Sequence, residues 1–99
     1  MAAYIIANVS INNPTRYADY TALTPGIIKK YKGEFVVRGG PVELLEGTTE
    51  EERWVVLRFE TKDAAKAFYY SEEYTAAKAI RQEAASAQFL LLEGYDDNQ

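Results

Sequence analysis

Arginine and tyrosine are the side chains of this sequence with the clearest capacity for chemistry. Arg38 precedes Gly39-Gly40, and a guanidinium can bind a carboxylate through two parallel hydrogen bonds. Tyr20 and Tyr74 lie on stripes of helical spacing, which is typical of core aromatics, but their hydroxyls could also reach a pocket between a helix and a sheet. These residues predict a site for a small acidic or carbonyl-bearing molecule, with the core as the alternative for each tyrosine.

Two further candidates lie near these residues in the sequence. Arg81 follows Tyr74 by two helical turns on the same face, where its alternative is a surface ion pair with Glu72 or Glu73. The backbone N–H groups of Gly39-Gly40 could hold an anion, although no helix follows them to strengthen the site.

The composition excludes several classes of chemistry. The 99 residues contain no cysteine and no histidine, which excludes disulfides, thiolate nucleophiles, a Ser–His–Asp triad, a proximal-histidine haem and zinc held by cysteine or histidine. We therefore expect no cofactor and no metal. Proton transfer would fall to Asp, Glu, Lys, Tyr or water. Glu46 is the nominal base, and it would need burial to reach a useful pKa.

Charge and hydropathy set the expected partners and compartment. A net charge of −4 argues against nucleic acid, whose phosphates need a basic surface. No apolar stretch approaches the roughly 20 residues of a membrane span, and the start of the chain lacks the basic flank of a secretory signal. We expect a cytoplasmic protein, with residues 1–99 forming one domain.

Hydrophobic patterning predicts the element order β-α-β-β-α-β. Strands are predicted at 3–11, 34–38, 53–59 and 88–93, with 42–45 continuing the second strand and a polar turn over 46–52. The first helix is predicted from the cap Asn13 to a stop at Gly33, with a break at Pro25-Gly26. Helical segments begin after the caps Thr61 and Ser71, the second running to about Ala85. This order is typical of the α+β, ferredoxin-like plait, in which an antiparallel four-stranded sheet carries its helices on one face.

The alternation of side chains along the strands predicts two apolar sheet faces. The face assigned to the helices holds Ile5, Ala7, Val9, Ile11, Phe35, Val37, Val55, Leu57, Phe59, Leu90 and Leu92. The other face holds Tyr4, Ile6, Asn8, Ser10, Val36, Arg38, Trp54, Val56, Arg58, Phe89, Leu91 and Glu93. A monomer would expose too much apolar surface there, so we expect a homodimer packed sheet to sheet, a dimeric α+β barrel.

The polar residues of this second face have two interpretations. Arg38 or Arg58 could pair with Glu93 or with a carboxylate of the partner chain, because buried charges need partners. Alternatively, these side chains and Asn8 line a pocket for a small-molecule ligand. Both interpretations stay open at the level of the sequence.

Four segments carry a resemblance to a known family. The segments Arg38-Gly39-Gly40, VELLEG at 42–47, AAKAFYYSEEY at 64–74 and KAIR at 78–81 resemble the family called domain of unknown function 1330, with the likeness extending over residues 3–94. The resemblance implies the dimeric α+β barrel superfamily, which includes small monooxygenases, muconolactone-type isomerases and haem-handling enzymes. The family itself has no established reaction. The resemblance points to Arg38, Gly39, Gly40, Glu46, Gly47, Ser71, Tyr74 and Arg81.

The sequence departs from that family at three places. The family often has tryptophan at the position of Phe68, proline at that of Glu72, and a histidine with paired glycines where Lys32-Gly33-Glu34 stands. The missing histidine argues against histidine-dependent chemistry in this chain. The other two changes are consistent with variation in packing and capping.

Three functions follow from these observations. The first is a cofactor-free oxygenase or isomerase acting on a small oxygenated or aromatic compound, with an arginine stabilising a developing oxyanion. The second is a non-catalytic small-ligand-binding or stress-associated dimer, and the third is a purely structural dimer. No catalytic residue is assigned, and the ligand-binding candidates are Asn8, Tyr20, Arg38, Gly39, Gly40, Glu46, Ser71, Tyr74 and Arg81.

Overall fold

A computed structural model describes residues 1–49 and 53–95. Its elements follow the chain as β1 (Ala3–Ile11), α1 (Pro14–Lys30), β2 (Glu34–Arg38), β3 (Arg53–Phe59), α2 (Lys62–Tyr69), α3 (Glu72–Ala84) and β4 (Ala85–Glu93). The strands form one antiparallel sheet in the order β2-β3-β1-β4, and the helices cover one face. The predicted α+β, ferredoxin-like fold is confirmed.

Side-chain caps begin all three helices where the sequence predicts them. The Asn13 side chain accepts from the backbone N–H of Arg16 at 3.1 Å. The Thr61 hydroxyl accepts from the backbone N–H of Ala64 at 3.0 Å, and the Ser71 hydroxyl accepts from that of Tyr74 at 3.1 Å. Each cap satisfies one of the N–H groups that a helix start leaves unpaired.

The predicted break of α1 at Pro25-Gly26 is wrong. The helix runs unbroken from Pro14 to Lys30 with Pro25 inside it. Pro25 removes one backbone donor, but Thr24 and Ile28 on either side of it are buried. We attribute the continuity to this packing, which offsets the lost hydrogen bond.

The first helix also ends differently from the prediction, which placed its stop at Gly33. The left-handed residue is Lys32, with φ of 62°. The N–H of Lys32 donates to the carbonyl of Lys29 and that of Gly33 to the carbonyl of Ile28, at 3.0 and 2.9 Å, which is a Schellman motif. Glycine is required at position 33 for a steric reason and not as the left-handed helix stop, because a Cβ there would lie 2.5 Å from the Phe59 ring.

Two strand predictions also need correction. Residues 42–45 are not a strand but an irregular, exposed segment, and part of the predicted turn after it, residues 50–52, lies outside the described residues. β4 begins at Ala85 rather than at 88. It follows α3 directly, and the carbonyl of Ala84 accepts from the N–H groups of Asn12 and Asn13.

The strand register reverses part of the predicted face assignment. Ile5 pairs with Leu91 and Ala7 with Phe89, so Phe89 and Leu91 lie on the helix side with these partners. Leu90 and Leu92 face away from the helices. Glu93 lies on the helix side, opposite Ala3. Alternation does not settle this strand's orientation, because Phe89–Leu92 is apolar on both faces.

A β-bulge produces the second reversal. Phe35 pairs with Leu57, but the next ladder partners are Val37 with Val56 and Arg38 with Val55, with a register shift between Phe35 and Val37. The extra residue inverts the alternation. Val37 therefore lies on the open face and Arg38 on the helix side, opposite to the prediction.

The open face remains largely apolar after these corrections. Its side chains are Tyr4, Ile6, Asn8, Ser10, Glu34, Val37, Trp54, Val56, Arg58, Ser86, Gln88, Leu90 and Leu92. Arg58 pairs across this face with Glu34 at 3.4 Å, while Glu93 pairs with Lys62 at 3.1 Å. The predicted alternative in which Glu93 neutralises Arg38 or Arg58 is wrong. Within the described residues, no helix is both long and apolar enough to cross a membrane.

Candidate functional site

A cavity of about 30 Å³ lies between α1 and the sheet. α1 packs chiefly against α3 and makes few close backbone approaches to the strands below it. The lining is mostly apolar and comes from α1 and all four strands, with one residue each from α2 and α3. It runs from buried Tyr20 and Tyr74 to exposed Arg38, so the cavity opens to the surface on the Arg38 side.

The inner end of the cavity holds a pair of tyrosine hydroxyls. The oxygens of Tyr20 and Tyr74 lie 2.7 Å apart and share a hydrogen bond. Burial, reinforced by the neighbouring Tyr74, raises the pKa of Tyr20 far above its ordinary value. Burial also raises the pKa of Tyr74, against the opposing effects of the Tyr20 hydrogen bond and the Arg81 charge. Both hydroxyls are therefore protonated at neutral pH. One of them donates to the other, so the pair has one O–H left to donate to a ligand oxygen.

Arg81 is a buried cation behind this pair. It is 4% exposed, and its guanidinium carbon lies 4.3 Å from the Phe89 ring centroid and 6.0 Å from that of Tyr20. Its Nε is buried and has no hydrogen-bond partner among the described residues. The predicted alternative, a surface ion pair with Glu72 or Glu73, is wrong.

Arg38 lies at the mouth of the cavity. Its Nη2 donates to the backbone carbonyl of Thr21 at 3.4 Å, and its guanidinium carbon lies 4.6 Å from the Phe35 ring centroid. Both contacts belong to the cavity lining. The bulge in β2 is what turns Arg38 toward the cavity, since regular alternation would place it on the open face.

Arg53 is a site residue that the sequence reasoning missed. It lines the cavity, its guanidinium carbon lies 5.7 Å from the Tyr17 ring centroid, and its Nε is buried without a partner in the described part of the chain. The sequence did contain an indication of this, because in a regular strand the Arg53 side chain points to the same sheet face as those of Val55 and Leu57. An arginine at a helix-facing strand position indicates a cavity or a buried partner.

The glycine pair does not form the predicted anion cradle at Gly39. The N–H of Gly39 donates to the carbonyl of Trp54 at 2.8 Å, so it is not free for a ligand. Gly39 has φ of +67°, and a Cβ there would collide with the Arg53 guanidinium. A Cβ at Gly40 would meet nothing within 4 Å. Gly39 therefore makes room for Arg53.

Three other predicted candidates lie outside the cavity lining. Asn8 is on the open face, where its side-chain nitrogen donates to the Gln88 side chain at 3.3 Å. Ser71 caps α3, and its hydroxyl donates to the carbonyl of Phe68 at 2.7 Å. Glu46 is exposed in the segment after β2. The structure thus brings Tyr20, Tyr74 and Arg38 to one cavity, with Arg81 adjacent.

The chemistry of the site is that of hydrogen-bond donors. The described lining contains arginine and tyrosine but no carboxylate and no lysine. Among residues 1–49 and 53–95, no group of three acidic side chains is placed to hold a metal ion. Such a cavity can bind an oxygen-bearing molecule and stabilise negative charge on it.

Comparison with known proteins gives a family and a fold. A family described as "Domain of unknown function (DUF1330)" matches residues 2–95. The sequence matches no curated protein.

The similar solved structures include three of particular interest. RPA0582 of Rhodopseudomonas palustris, a protein of unknown function, is 16% identical with a TM-score of 0.77, over 96% of this chain and 83% of that one. A dimeric ferredoxin-like protein of unknown function from Jannaschia sp. CCS1 is 18% identical with a TM-score of 0.74, over 95% and 100%. SnoaB of Streptomyces nogalater, a cofactor-independent oxygenase, is 12% identical with a TM-score of 0.67, over 96% and 94%. At these identities the likeness shows the fold alone.

Proposed function

This chain belongs to the family described as domain of unknown function (DUF1330), and on that premise we propose that it is a cofactor-free oxygenase or isomerase. Its substrate would be a small oxygenated or aromatic compound bound in the cavity under α1. The observation that carries the proposal is the buried pair of protonated hydroxyls on Tyr20 and Tyr74, at the inner end of a cavity whose charged groups are arginines. SnoaB supports it only in that this fold can host such chemistry.

The donors of the cavity suit a reaction that passes through an enolate or phenolate. Negative charge on a substrate oxygen is stabilised by preorganised hydrogen bonds and by nearby cations in a water-poor site. The Tyr20–Tyr74 pair supplies a hydrogen bond from its remaining O–H, and Arg53 supplies the charge. Because the described lining has no side chain that accepts a proton at neutral pH, the substrate must itself be acidic enough to lose its proton to water.

The same feature favours a second candidate, a protein that binds such a compound without converting it. A site that only donates hydrogen bonds needs no base to bind a ligand. In this candidate the dimer would serve small-molecule binding or a stress-associated role. Turnover of a bound compound separates the two.

We also propose that residues 1–99 form one domain that pairs with a second copy through the open sheet face. That face exposes contiguous apolar side chains on all four strands, including Leu90 and Leu92 at 45% and 47% exposure, and a two-fold dimer would cover the same patch on both copies. A similar structure from Jannaschia sp. is described as dimeric. A cytoplasmic location stays a prediction, which cell fractionation tests.

The experiment for the enzyme proposal is a turnover screen with purified protein in air. Catechol, a methylhydroquinone and acetylacetone are incubated with the wild type, with Tyr20→Phe and Tyr74→Phe, and with Tyr70→Phe as the control. The ring of Tyr70 is 75% exposed and lies outside the cavity lining. We expect conversion, followed by oxygen uptake and mass spectrometry, that falls at least about tenfold in the two cavity variants and persists in the control. Saturable binding without conversion would favour the second candidate, and neither binding nor conversion would reject the site.

A further inference from the structure

We infer that the ligand of this cavity is a small organic monoanion and that Arg53 binds its charged oxygen. The inference rests on the proposed function in one respect, the location of the ligand under α1. It goes beyond that function in naming the charge of the ligand and the residue that recognises it.

Arg53 has a hydrogen-bond donor that no described residue uses. The side chain enters the cavity from the helix side of β3, opposite Val9, and its guanidinium lies beside the Tyr17 ring. Its Nε–H is buried and unpaired within the described residues. Buried donors are nearly always paired in folded proteins, so an unpaired one at a cavity wall indicates a missing acceptor.

The surroundings of Arg53 are positively charged. Arg38 and Arg81 flank the cavity, and the Nε of Arg81 is also buried and unpaired. Each of the five ion pairs in the described part of the chain uses another cation: Arg16 twice, Lys30, Arg58 and Lys62. Two arginines thus line the cavity and Arg81 lies behind its Tyr20 and Phe89 walls, with no described carboxylate to pair with them. Arg81 is buried, and a buried cation without a counter-ion is costly, so an anionic ligand nearby would lower that cost.

The walls of the cavity indicate what the uncharged part of the ligand is. Apart from the tyrosine hydroxyls, the two arginines and two threonines, the lining is apolar, with Val55 and Leu57 next to Arg53 on the same strand face. Such walls favour a carboxylate or enolate that carries a hydrocarbon group over inorganic phosphate or sulfate. The enclosed volume of about 30 Å³ suits a few atoms of that group, with the remainder lying toward the mouth at Thr21 and Arg38.

The test is a titration of ¹⁵N-labelled protein with two pairs of probes that match in shape and differ in charge. Isobutyrate is compared with isobutyramide, and benzoate with benzamide. The side-chain Nε–Hε resonances of Arg53 and Arg81 are followed with the backbone amides of the cavity walls. We expect the carboxylates to shift the Arg53 resonance saturably and to bind at least about tenfold more tightly than the amides, as a charge-assisted hydrogen bond provides.

Substitutions then identify the arginine that acts. Arg53→Gln should weaken carboxylate binding at least about tenfold and amide binding less than about twofold. Arg53→Lys, which keeps the charge, should fall between. Arg58→Gln is the matched control on the open face, because Arg58 is bound to Glu34, and it should leave both affinities unchanged.

Each contrary result has one meaning. Equal binding of carboxylates and amides at the cavity would overturn the anion inference and leave the proposed function standing. Full carboxylate affinity in Arg53→Gln would overturn the role of Arg53. No cavity resonance moving with any of the four probes, together with no turnover or binding in the enzyme screen, would overturn both proposals.

Discussion

The guanidinium of Arg38 on β2 donates to the one backbone carbonyl of α1 that Pro25 leaves without its helical partner. That carbonyl belongs to Thr21, 3.4 Å from Arg38 Nη2, and its regular donor would be the N–H of residue 25. The proline therefore gives the mouth of the cavity an acceptor, which Arg38 uses. Pro25, a residue type that usually interrupts helices, thus frees the backbone carbonyl of Thr21 that Arg38 contacts at the site.

The first prediction follows from that relationship. Pro25→Ala restores the N–H that Thr21 lacks, and proline in a helix interior is about 3 kcal/mol less favourable than alanine. Part of the gain is lost, because proline also restricts the unfolded chain by about 0.4–1 kcal/mol. We expect a net increase of about 2 kcal/mol in the free energy of unfolding, measured by urea denaturation.

Pro14→Ala provides the control for this change. Pro14 occupies the first position of α1, where its missing N–H removes no helical hydrogen bond, so no comparable stabilisation is expected. A Pro25→Ala variant less stable than the wild type would mean that the proline is needed for the shape of α1 itself.

The second prediction concerns Gly39 and its neighbour. Gly39→Ala places a Cβ against the Arg53 guanidinium and forces alanine into a left-handed conformation, which costs about 1–2 kcal/mol for a residue other than glycine. We expect that loss of stability together with weaker benzoate binding in a ¹⁵N titration, because Arg53 must move.

Gly40→Ala is the matched substitution one residue away. Its Cβ would meet nothing within 4 Å, and Gly40 is not among the glycines with positive φ. Near-wild-type stability and binding are therefore expected. If Gly39→Ala and Gly40→Ala behaved alike, Gly39 would have no part in positioning Arg53.

The elements of this fold were predictable because their signals are local. β1, β2 and β3 have the predicted bounds, and Asn13, Thr61 and Ser71 act as the caps that their positions indicate. A cap depends on a side chain and a backbone group three residues apart. The errors at Pro25 and over 42–45 arose where tertiary packing, rather than local propensity, decides the conformation.

The site was less predictable because it depends on register. A single bulge near Val36 moves Arg38 to the helix side, and no residue in the glycine-free run Glu34–Arg38 marks that bulge. The orientation of β4 was similarly hidden by its apolar residues on both faces. Tyr20 and Tyr74 were nevertheless among the candidates, because large polar-tipped side chains on helical stripes are recognisable without a register. Arg38 was a candidate as well, but for the opposite face of the sheet.

The third prediction tests the open face. Val56 lies at its centre, paired with Ile6 on one side and Val37 on the other. In a sheet-to-sheet dimer, Val56→Lys would bury an unpaired charge, so we expect the dimer to dissociate in sedimentation velocity. Leu23→Lys, at a 45% exposed position of α1, should leave the assembly unchanged. A Val56→Lys protein that stays folded by circular dichroism and fully dimeric would move the interface elsewhere.

The fourth prediction is a loss of stability at alkaline pH that comes from the tyrosine pair. Burial raises the pKa of both Tyr20 and Tyr74 in the folded state, whereas an unfolded tyrosine ionises near about pH 10. Above that pH the unfolded chain releases protons that the folded chain retains, so the free energy of unfolding falls as pH rises. Below about pH 10 the stabilisation is fully present.

Urea denaturation between pH 8 and 11.5 measures this effect. Each hydroxyl that stays protonated contributes a slope of up to about 1.4 kcal/mol per pH unit above pH 10. Tyr20→Phe combined with Tyr74→Phe should flatten the curve there, while Tyr70→Phe, which removes a hydroxyl from a ring 75% exposed, should keep the wild-type steepness. Equal slopes in the wild type and the double variant would mean that the pair ionises in the folded protein. Burial would then not raise the pKa of the pair, and its hydroxyls would lose their protons only near the ordinary tyrosine pKa of about 10.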